Sequence, residues 1–560
     1  MLLRTSSSPA PRSLAPATAT ATGTAMGAGW RLVSPVGHVA PVLFGLGGLL
    51  LSLGLVPRAS AWQATTAPSA QAQPATQAAA QPAATRSATT ATDEWQALYL
   101  GKTRVGYLRS TVTPLRRDGR DLIESKSETA MTIARFGQRV QLKISQQTLE
   151  TPEGEWLEFR SVMENPPNLA TETVGRIDQE TLQLSTTVGG KTTTRTQPWD
   201  KTLQSPAAQD RLLRDKPLGP GDEQTLRTFE PQLQKIVTVK LKGLPSEEVT
   251  LLSGERQTLR KIAASQSIDP KTIQYSYVDN DLKTVKTTTT MLGTEMTTWA
   301  VSRDEALKSL TGDDVDLAIA TLVKTSKIER SLETRAVRYR VSLPTDNPAE
   351  VLATGVTQSL KPIDERTVEL TVRSEIPPQA PPADAAPAEA RYTRPSQFLQ
   401  SEDPLIVELA ESVAGDEPDA WKVALALEQL VQQKVKNKNF STLMASAAEV
   451  AKSLSGDCTE HACLLAALCR ARQIPSRVAV GLMYVPRDSA FGGHMWTEVY
   501  VRRRWVPLDG TLGRGHVGGD HIKFRDSALE DGGEGDGLAA FVPVVNALAQ
   551  MRIEVLEVTH

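Results

Sequence analysis

Thiol, imidazole and carboxylate side chains are gathered into one stretch of this 560-residue chain, from Gly456 to Asp509. Cys458, Cys463 and Cys469 are its only cysteines, and His461 and His494 lie in the same stretch, with His516 and His521 just beyond it. The order Gly456-Asp457-Cys458, then His494-Met495-Trp496-Thr497-Glu498, then Trp505-Val506-Pro507-Leu508-Asp509-Gly510 supplies a cysteine, a histidine and an acid. Those are the parts of an activated thiol: a base that takes its proton and an acid that orients the base. Cys458 follows a Gly-Asp break and begins an Ala-, Leu- and Cys-rich run to Ala471, a helix apolar nearly all round and therefore buried. A thiol at a helix start meets unpaired N–H groups and the positive end of the dipole, which favour a thiolate. The same amides can donate to an oxyanion. His494 is expected to open a strand after Gly492-Gly493, at the rim of a sheet. Glu498 shares that strand, but four residues of strand put it about 13 Å away. Asp509, on the next strand beyond the Arg502-Arg503-Arg504 turn, is the acid that can reach His494 sideways. His461, one turn after Cys458, reads as a packing or hydrogen-bonding group rather than the base.

Other uses of these residues fit the spacing less well. Cys458-x2-His461 with His516 or His521 would be a zinc set, yet no Cys-x2-Cys or His-x3-His pair exists. No metal and no other cofactor is assigned. Glu530 to Asp536 lacks the spaced ligands of a calcium loop and reads as a solvated loop. In a helix, Cys463 and Cys469 are separated by about 9 Å of axial rise, beyond the roughly 7 Å between Cα atoms that a disulfide tolerates. They read as core cysteines. Trp496, Glu498 and Trp505 read as scaffold, with Trp496 a wall of a substrate cleft.

The elements around this stretch are helices followed by strands. Asp403 caps a helix with Pro404 at its first position, and Pro418 opens a longer one carrying Trp421, Leu425, Leu427 and Leu430. Ala447 to Leu454 makes a third helix. Strands then run from Arg477 to Tyr484, His494 to Val501 and Trp505 to Leu508. Helices followed by strands predict an α+β domain with an antiparallel sheet.

Upstream, the chain is too long for one core. Residues 1–61 read as a signal peptide or an N-terminal membrane anchor. Arg4, Arg12 and Arg31 precede an uncharged apolar run at 39–56, and Ala59-Ser60-Ala61 follows as a cleavage site. Export to the periplasm or beyond is expected, with membrane anchoring through 39–56 as the alternative to cleavage. Residues 62–93, rich in Ala, Thr, Gln and Pro, read as a disordered linker. Residues 94–311 alternate as antiparallel strands, with hairpin signals at Gly101-Lys102, Asp118-Gly119, Gly189-Gly190 and Asp279-Asn280-Asp281. A second β-rich segment covers 312–376, a Pro/Ala linker 377–393, and the helices and strands of the chemistry-bearing domain 394–560, with a C-terminal strand near Arg552 to Val558. Net charge is −2, and no basic stripe with interleaved aromatics occurs, which argues against nucleic acid as a partner.

Gly-Asp-Cys at 456–458, His-x-Trp-x-Glu at 494–498 and Trp-Val-Pro-Leu-Asp-Gly-Thr at 505–511 resemble, in order and separation, three motifs of the transglutaminase-like superfamily. The passage from Ala467 to Val478 is similar as well, so the resemblance covers about 400–525. It implies a papain-like core of helices packed on an antiparallel sheet, here preceded by β-rich antiparallel domains. It also implies Cys458 as nucleophile, His494 as base and Asp509 as orienting acid. Gly510 stands where the family commonly has proline. Members transfer acyl groups from amides to amines, hydrolyse amides, or have lost activity. The expected substrate is a protein or peptide bearing an amide, attacked through a thioester. The alternative is an idle binding or scaffolding module of the cell envelope.

Overall fold

The strands upstream of residue 302 form one 14-stranded antiparallel sheet. Consecutive strands pair, except Lys191–Pro198 with Glu223–Glu230, and the first strand, Thr92–Leu100, also pairs with the last, Thr294–Val301. The outer strands are therefore Lys191–Pro198 and Glu223–Glu230. The expected turns are present: Asp118 and Gly119 take φ values of 52° and 76°, and Gly189 and Gly190 take 58° and 76°, as two-residue hairpins require. The computed structural model describes residues 91–165, 169–311, 314–381, 386–440, 444–531, 547–548 and 550–560. The expected signal peptide or anchor at 1–61, nearly all of the expected linker at 62–93 and most of the expected acidic loop at 530–536 lie outside them. Among the described residues no helix is long and apolar enough to cross a membrane.

A second sheet has the order Val323–Lys324, Ala490–Val501, Ser476–Val485, His521–Ser527, with Arg504–Leu508 pairing onto Ala490–Val501. Four helices accompany it: Pro404–Glu411, Ala420–Lys434, Ala447–Ser453 and Cys458–Ala471. The second of these starts after Pro418 because Asp419 takes the cap, accepting from the Trp421 N–H. The helix Cys458–Ala471 is the centre of the largest core, and every residue from Cys458 to Arg470 is buried. Thr497 Oγ1 donates to the Ala462 carbonyl at 2.9 Å, seating this helix on the strand Ala490–Val501. A third sheet pairs Ala336–Ser342 with Thr367–Arg373 and with the C-terminal strand Arg552–Thr559.

One contact joins the large sheet to the cysteine helix. The hairpin between Arg120–Arg135 and Gln138–Glu150 turns through Phe136 and Gly137, with φ values of 48° and 75°. A bulky aromatic residue takes that conformation only where its surroundings hold it. Here the Phe136 and Phe440 rings lie 5.3 Å apart, and the Phe440 N–H donates to Gln138 Oε1 at 2.9 Å. Next to it, Arg135 Nη2 donates to Asp457 Oδ2 at 2.7 Å and Nη1 to the Phe440 carbonyl at 3.1 Å. Both charged side chains are fully buried. Removing one partner of such a pair strands the other charge in a dry site. Arg135→Ala is therefore expected to lower unfolding free energy by about 3–5 kcal/mol in urea titrations, and a midpoint equal to wild type would contradict this.

Candidate active site

Cys458 owes its position to the start of its helix. Asp457 is the N-cap: its Oδ1 accepts from the Thr459 N–H at 2.9 Å and from Thr459 Oγ1 at 2.8 Å. Glu460 Oε2 accepts from the Asp457 N–H at 2.8 Å, completing a capping box. Gly456 is required just before it. Its φ is 155°, and a Cβ there would lie 2.3 Å from the Glu460 Cβ. The thiol is 2 % exposed and receives a hydrogen bond from the backbone N–H of Met495, next to His494.

The expected thiolate at the helix start is not what this environment favours. Burial pushes the Cys458 thiol well above its usual range, and the Asp457 carboxylate adds to this. The Met495 N–H and the Arg135 guanidinium act in the opposite direction and do not offset it. Desolvation of a wholly enclosed charge exceeds what a helix terminus returns. In this closed arrangement the thiol keeps its proton.

His494 and Asp509 are brought together. His494 Nε2 donates to Asp509 Oδ2 at 2.9 Å, with both side chains buried. His494 is 0 % exposed and lies within its strand rather than at the rim. The strand begins at Ala490, and Gly492 and Gly493 join the ladder opposite Met483 and Leu482. With the Nε2–H directed at the carboxylate, Nδ1 is the ring's acceptor, and that buried atom has no hydrogen-bond partner. Asp509 is anchored in turn. Its Oδ1 accepts from the Thr511 N–H at 2.8 Å, and its own N–H donates to Glu428 Oε1 at 3.0 Å. Glu428, which the sequence reading passed over, also accepts from the Gly515 N–H at 2.7 Å, so one buried helix residue holds both ends of the loop 509–515. Burial, with the nearby Asp509 charge, raises its pKa to about 7.

The other residues singled out fall outside this pair. His461 Nδ1 donates to the Asp457 carbonyl, and Nε2 lies between the Val435 carbonyl and the Lys438 ammonium. Burial and Lys438 push its pKa down to about 4, so it is a neutral packing group. Glu498 is enclosed by Lys523 and Arg477, each at 2.7 Å. Cys463 and Cys469 are buried free thiols. His516 Nδ1 rests on the Arg514 carbonyl, and among the described residues Cys458 and His461 are not grouped with His516 or His521 as a metal set.

A different group is. His521 Nε2 lies 3.3 Å from Asp509 Oδ2, the oxygen His494 uses, and His521 Nδ1 lies 2.8 Å from Asp520 Oδ1. Cross-strand register explains the meeting: His494 is opposite Gly481, and His521 is opposite Met483 two residues along the same strand, so both imidazoles share a face. Gly481 keeps the strands close, since a Cβ there would sit 1.9 Å from the Ile522 carbonyl oxygen. The signal in the sequence was the Gly518-Gly519-Asp520 turn before the apolar Ile522 and Phe524. Ligand atoms of His494, Asp509 and His521 lie within 4.8 Å of one another, the spacing of a metal set. They are engaged with each other, and a metal would require both facing nitrogens to give up their protons.

Burial alone would lower the His521 pKa, but Asp520 and Asp509 outweigh it and raise it to about 9. Burial would raise Asp509, but His494 and His521 hold it well below the usual carboxylate range. The signs are opposite. His521 contributes stability fully below its unfolded pKa of about 6.5, and this is lost as pH rises through about 9. Asp509 contributes above the ordinary carboxylate range and loses its share in acid. The change from 6.5 to about 9 corresponds to about 3 kcal/mol. The wild-type urea midpoint is expected to fall between pH 6.5 and 9, with most of that fall missing in His521→Gln. A flat wild-type curve would contradict a charged His521.

Residues 407–510 match the model of the Transglutaminase-like superfamily. No curated protein matches the chain. Several solved structures do. A Cytophaga hutchinsonii protein provisionally assigned as a cysteine protease is 18 % identical over 41 % of this chain and 89 % of its own, with a TM-score of 0.26. A β-barrel-like protein of a domain of unknown function from Brucella abortus is 10 % identical over 38 % of this chain and 96 % of its own, at 0.28. The periplasmic domain of TgpA from Pseudomonas aeruginosa, bound to ethylmercury, is 15 % identical over 32 % and 91 %, at 0.21.

Proposed function

From the premise that the C-terminal part of this chain carries a transglutaminase-like domain, we propose that it is a cysteine enzyme acting on amide bonds of a protein or peptide. Cys458, His494 and Asp509 form its triad on a papain-like core. The observation that carries this reading is the orientation of His494: Nε2 is fixed on Asp509, and Nδ1 is a buried acceptor without a partner. The Cys458 sulfur takes the N–H of the adjoining Met495. In the reaction the thiol proton passes to His494 Nδ1 as sulfur attacks the carbonyl carbon. Charge on the carbonyl oxygen falls to the Cys458 N–H at the start of its helix, because Asp457 holds the Thr459 and Glu460 N–H groups that follow. The tetrahedral intermediate collapses, the C–N bond breaks, and His494 protonates the departing amine, leaving a thioester. Water or an acceptor amine then attacks the thioester, giving its proton to His494 and releasing the thiol. Asp509 stabilises the imidazolium throughout. The sequence of residues 1–61, read as a signal peptide or an N-terminal membrane anchor, is in keeping with action outside the cytoplasm.

A second reading has an observation of its own. With its thiol 2 % exposed and protonated, the domain also suits an idle binding module. Labelling with electrophilic amide mimics separates the two. Under the enzyme reading, wild type is labelled at Cys458, Cys458→Ala is not, and Asp509→Asn stays folded but loses rate, by up to on the order of 10⁴. Labelling spread equally over Cys458, Cys463 and Cys469, or Asp509→Asn at wild-type rate, favours the idle module.

A further inference from the structure

We infer that His521 is a positioning residue of this site: a second, doubly protonated imidazole that shares Asp509 with His494 and sets the pH range in which the Cys458–His494 pair reacts. This rests on the reading of Cys458 and His494 as nucleophile and base, and adds an arm, His521 with Asp520, that the triad does not contain.

The charge follows from geometry. A neutral imidazole has one N–H and one lone pair. Both His521 nitrogens face carboxylate oxygens, Asp509 Oδ2 at 3.3 Å and Asp520 Oδ1 at 2.8 Å. A neutral ring would aim a lone pair at an anion in a site where His521, Asp509 and Asp520 are each 2 % exposed or less. Two N–H groups satisfy both contacts, and the pKa near 9 agrees. His494 differs, since only Nε2 meets a carboxylate. Charges therefore alternate along Asp520, His521 and Asp509 up to the His494 ring.

The alternation matters to the reacting pair. Asp509, bonded to Nε2 at 2.9 Å, favours positive charge on the His494 ring. The His521 cation, with ring centroids 5.4 Å apart, offsets that. Two ionisations bound the reactive state: loss of the thiol proton beside an imidazolium, and loss of the imidazolium proton beside a thiolate. A neighbouring cation eases both, so its removal moves both to higher pH. At this separation the shift is about one to two pH units.

Other charged or titratable groups face the same place and stay unchanged in the test. Glu428 faces Asp509 through its backbone. Tyr339, which donates to the Gly519 carbonyl, faces Asp520. Lys438, Arg135, Asp457 and Glu460 surround Cys458. The ring of His521 also packs edge-on against Trp496 at 5.4 Å, so a packing role must be told apart from an electrostatic one. His521→Gln keeps a donor toward Asp509 and removes the charge. Asp520→Asn keeps the ring and weakens its hold on the second proton.

The experiment measures iodoacetamide alkylation of Cys458 from pH 5 to 10 in the full chain, site by site by mass spectrometry. Chelator is present, and folding is checked by thermal melts. His521→Gln is expected to move the limbs of the rate profile up by about one unit or more, and Asp520→Asn to move them the same way by less. Folded variants that lose rate evenly with unmoved limbs overturn the inference and leave only packing. Ring ¹⁵N shifts of His521, read in Cys458→Ala at pH 7.5, decide the charge independently. Imidazolium shifts support it, and neutral-ring shifts overturn it. Should the wild-type thiol react no faster than Cys463, the enzyme reading falls and takes the pH-setting role with it, while the ring shifts still decide the charge.

Discussion

A single buried carboxylate, Asp457, carries much of this arrangement. It is 1 % exposed, and a charge taken that far from water must be fully partnered or it destabilises the fold by several kcal/mol. Its oxygens accept from Thr459 and Arg135, its N–H donates to Glu460, and its carbonyl accepts from His461. Satisfying Asp457 fixes where the helix begins, and so fixes Cys458. It also calls in a guanidinium from more than 300 residues upstream, through a hairpin turned at a positive-φ Phe136. The large sheet thus contributes a side chain to the base of the cysteine helix.

The same closure works against the thiol. A helix start and a nearby guanidinium stabilise a thiolate, yet complete desolvation outweighs them. The two are compatible in an acyl-transfer site only when proton movement is paired: sulfur gains charge as His494 Nδ1 gains the proton, so net charge in the dry pocket is unchanged. An isolated thiolate is costly there, whereas a thiolate beside an imidazolium is far less so. On the proposed reading, the unpartnered Nδ1, rather than the helix dipole, is the feature on which nucleophilic chemistry would turn.

Much of this was legible in the sequence where chemistry and local pattern coincide. Cys458 as the first residue of a buried helix, the four hairpin turns of the large sheet, and Asp509 rather than Glu498 beside His494 all follow from spacing and period. What was missed depends on pairing between distant segments. Arg135 looks like any strand arginine until its hairpin meets residue 457. Glu428 sits in an amphipathic helix, where a lone acid ordinarily faces water. His494 was expected at a rim because Gly492-Gly493 suggests a break, but glycines join a ladder when a neighbouring strand supplies partners, as Met483 and Leu482 of Ser476–Val485 do here. His521 was weighed only as a zinc ligand, since nothing local tells which face of its strand meets Asp509.

That face is set by one irregularity. Pairing between Ser476–Val485 and His521–Ser527 runs Val480 to Arg525 and then Gly481 to Lys523, so Phe524 is the extra residue of a bulge. Side chains alternate along a strand, and a slip of one residue sends each to the opposite face. With no bulge, Met483 would lie opposite Ile522, and His521 would point away from His494 and Asp509. The bulge, the bare Gly481 beside it, and Gly519, whose carbonyl is held by Tyr339 at 2.7 Å, act on the same short turn. Gly519, next to Asp520, is thus buttressed from the third sheet, one of whose outer strands is the C-terminal Arg552–Thr559. The second imidazole therefore depends on contacts that span the chain from Tyr339 to its last strand. Any insertion between residues 509 and 521 that preserved the motifs but lost this register would leave His494 and Asp509 paired and His521 on the wrong side of the sheet.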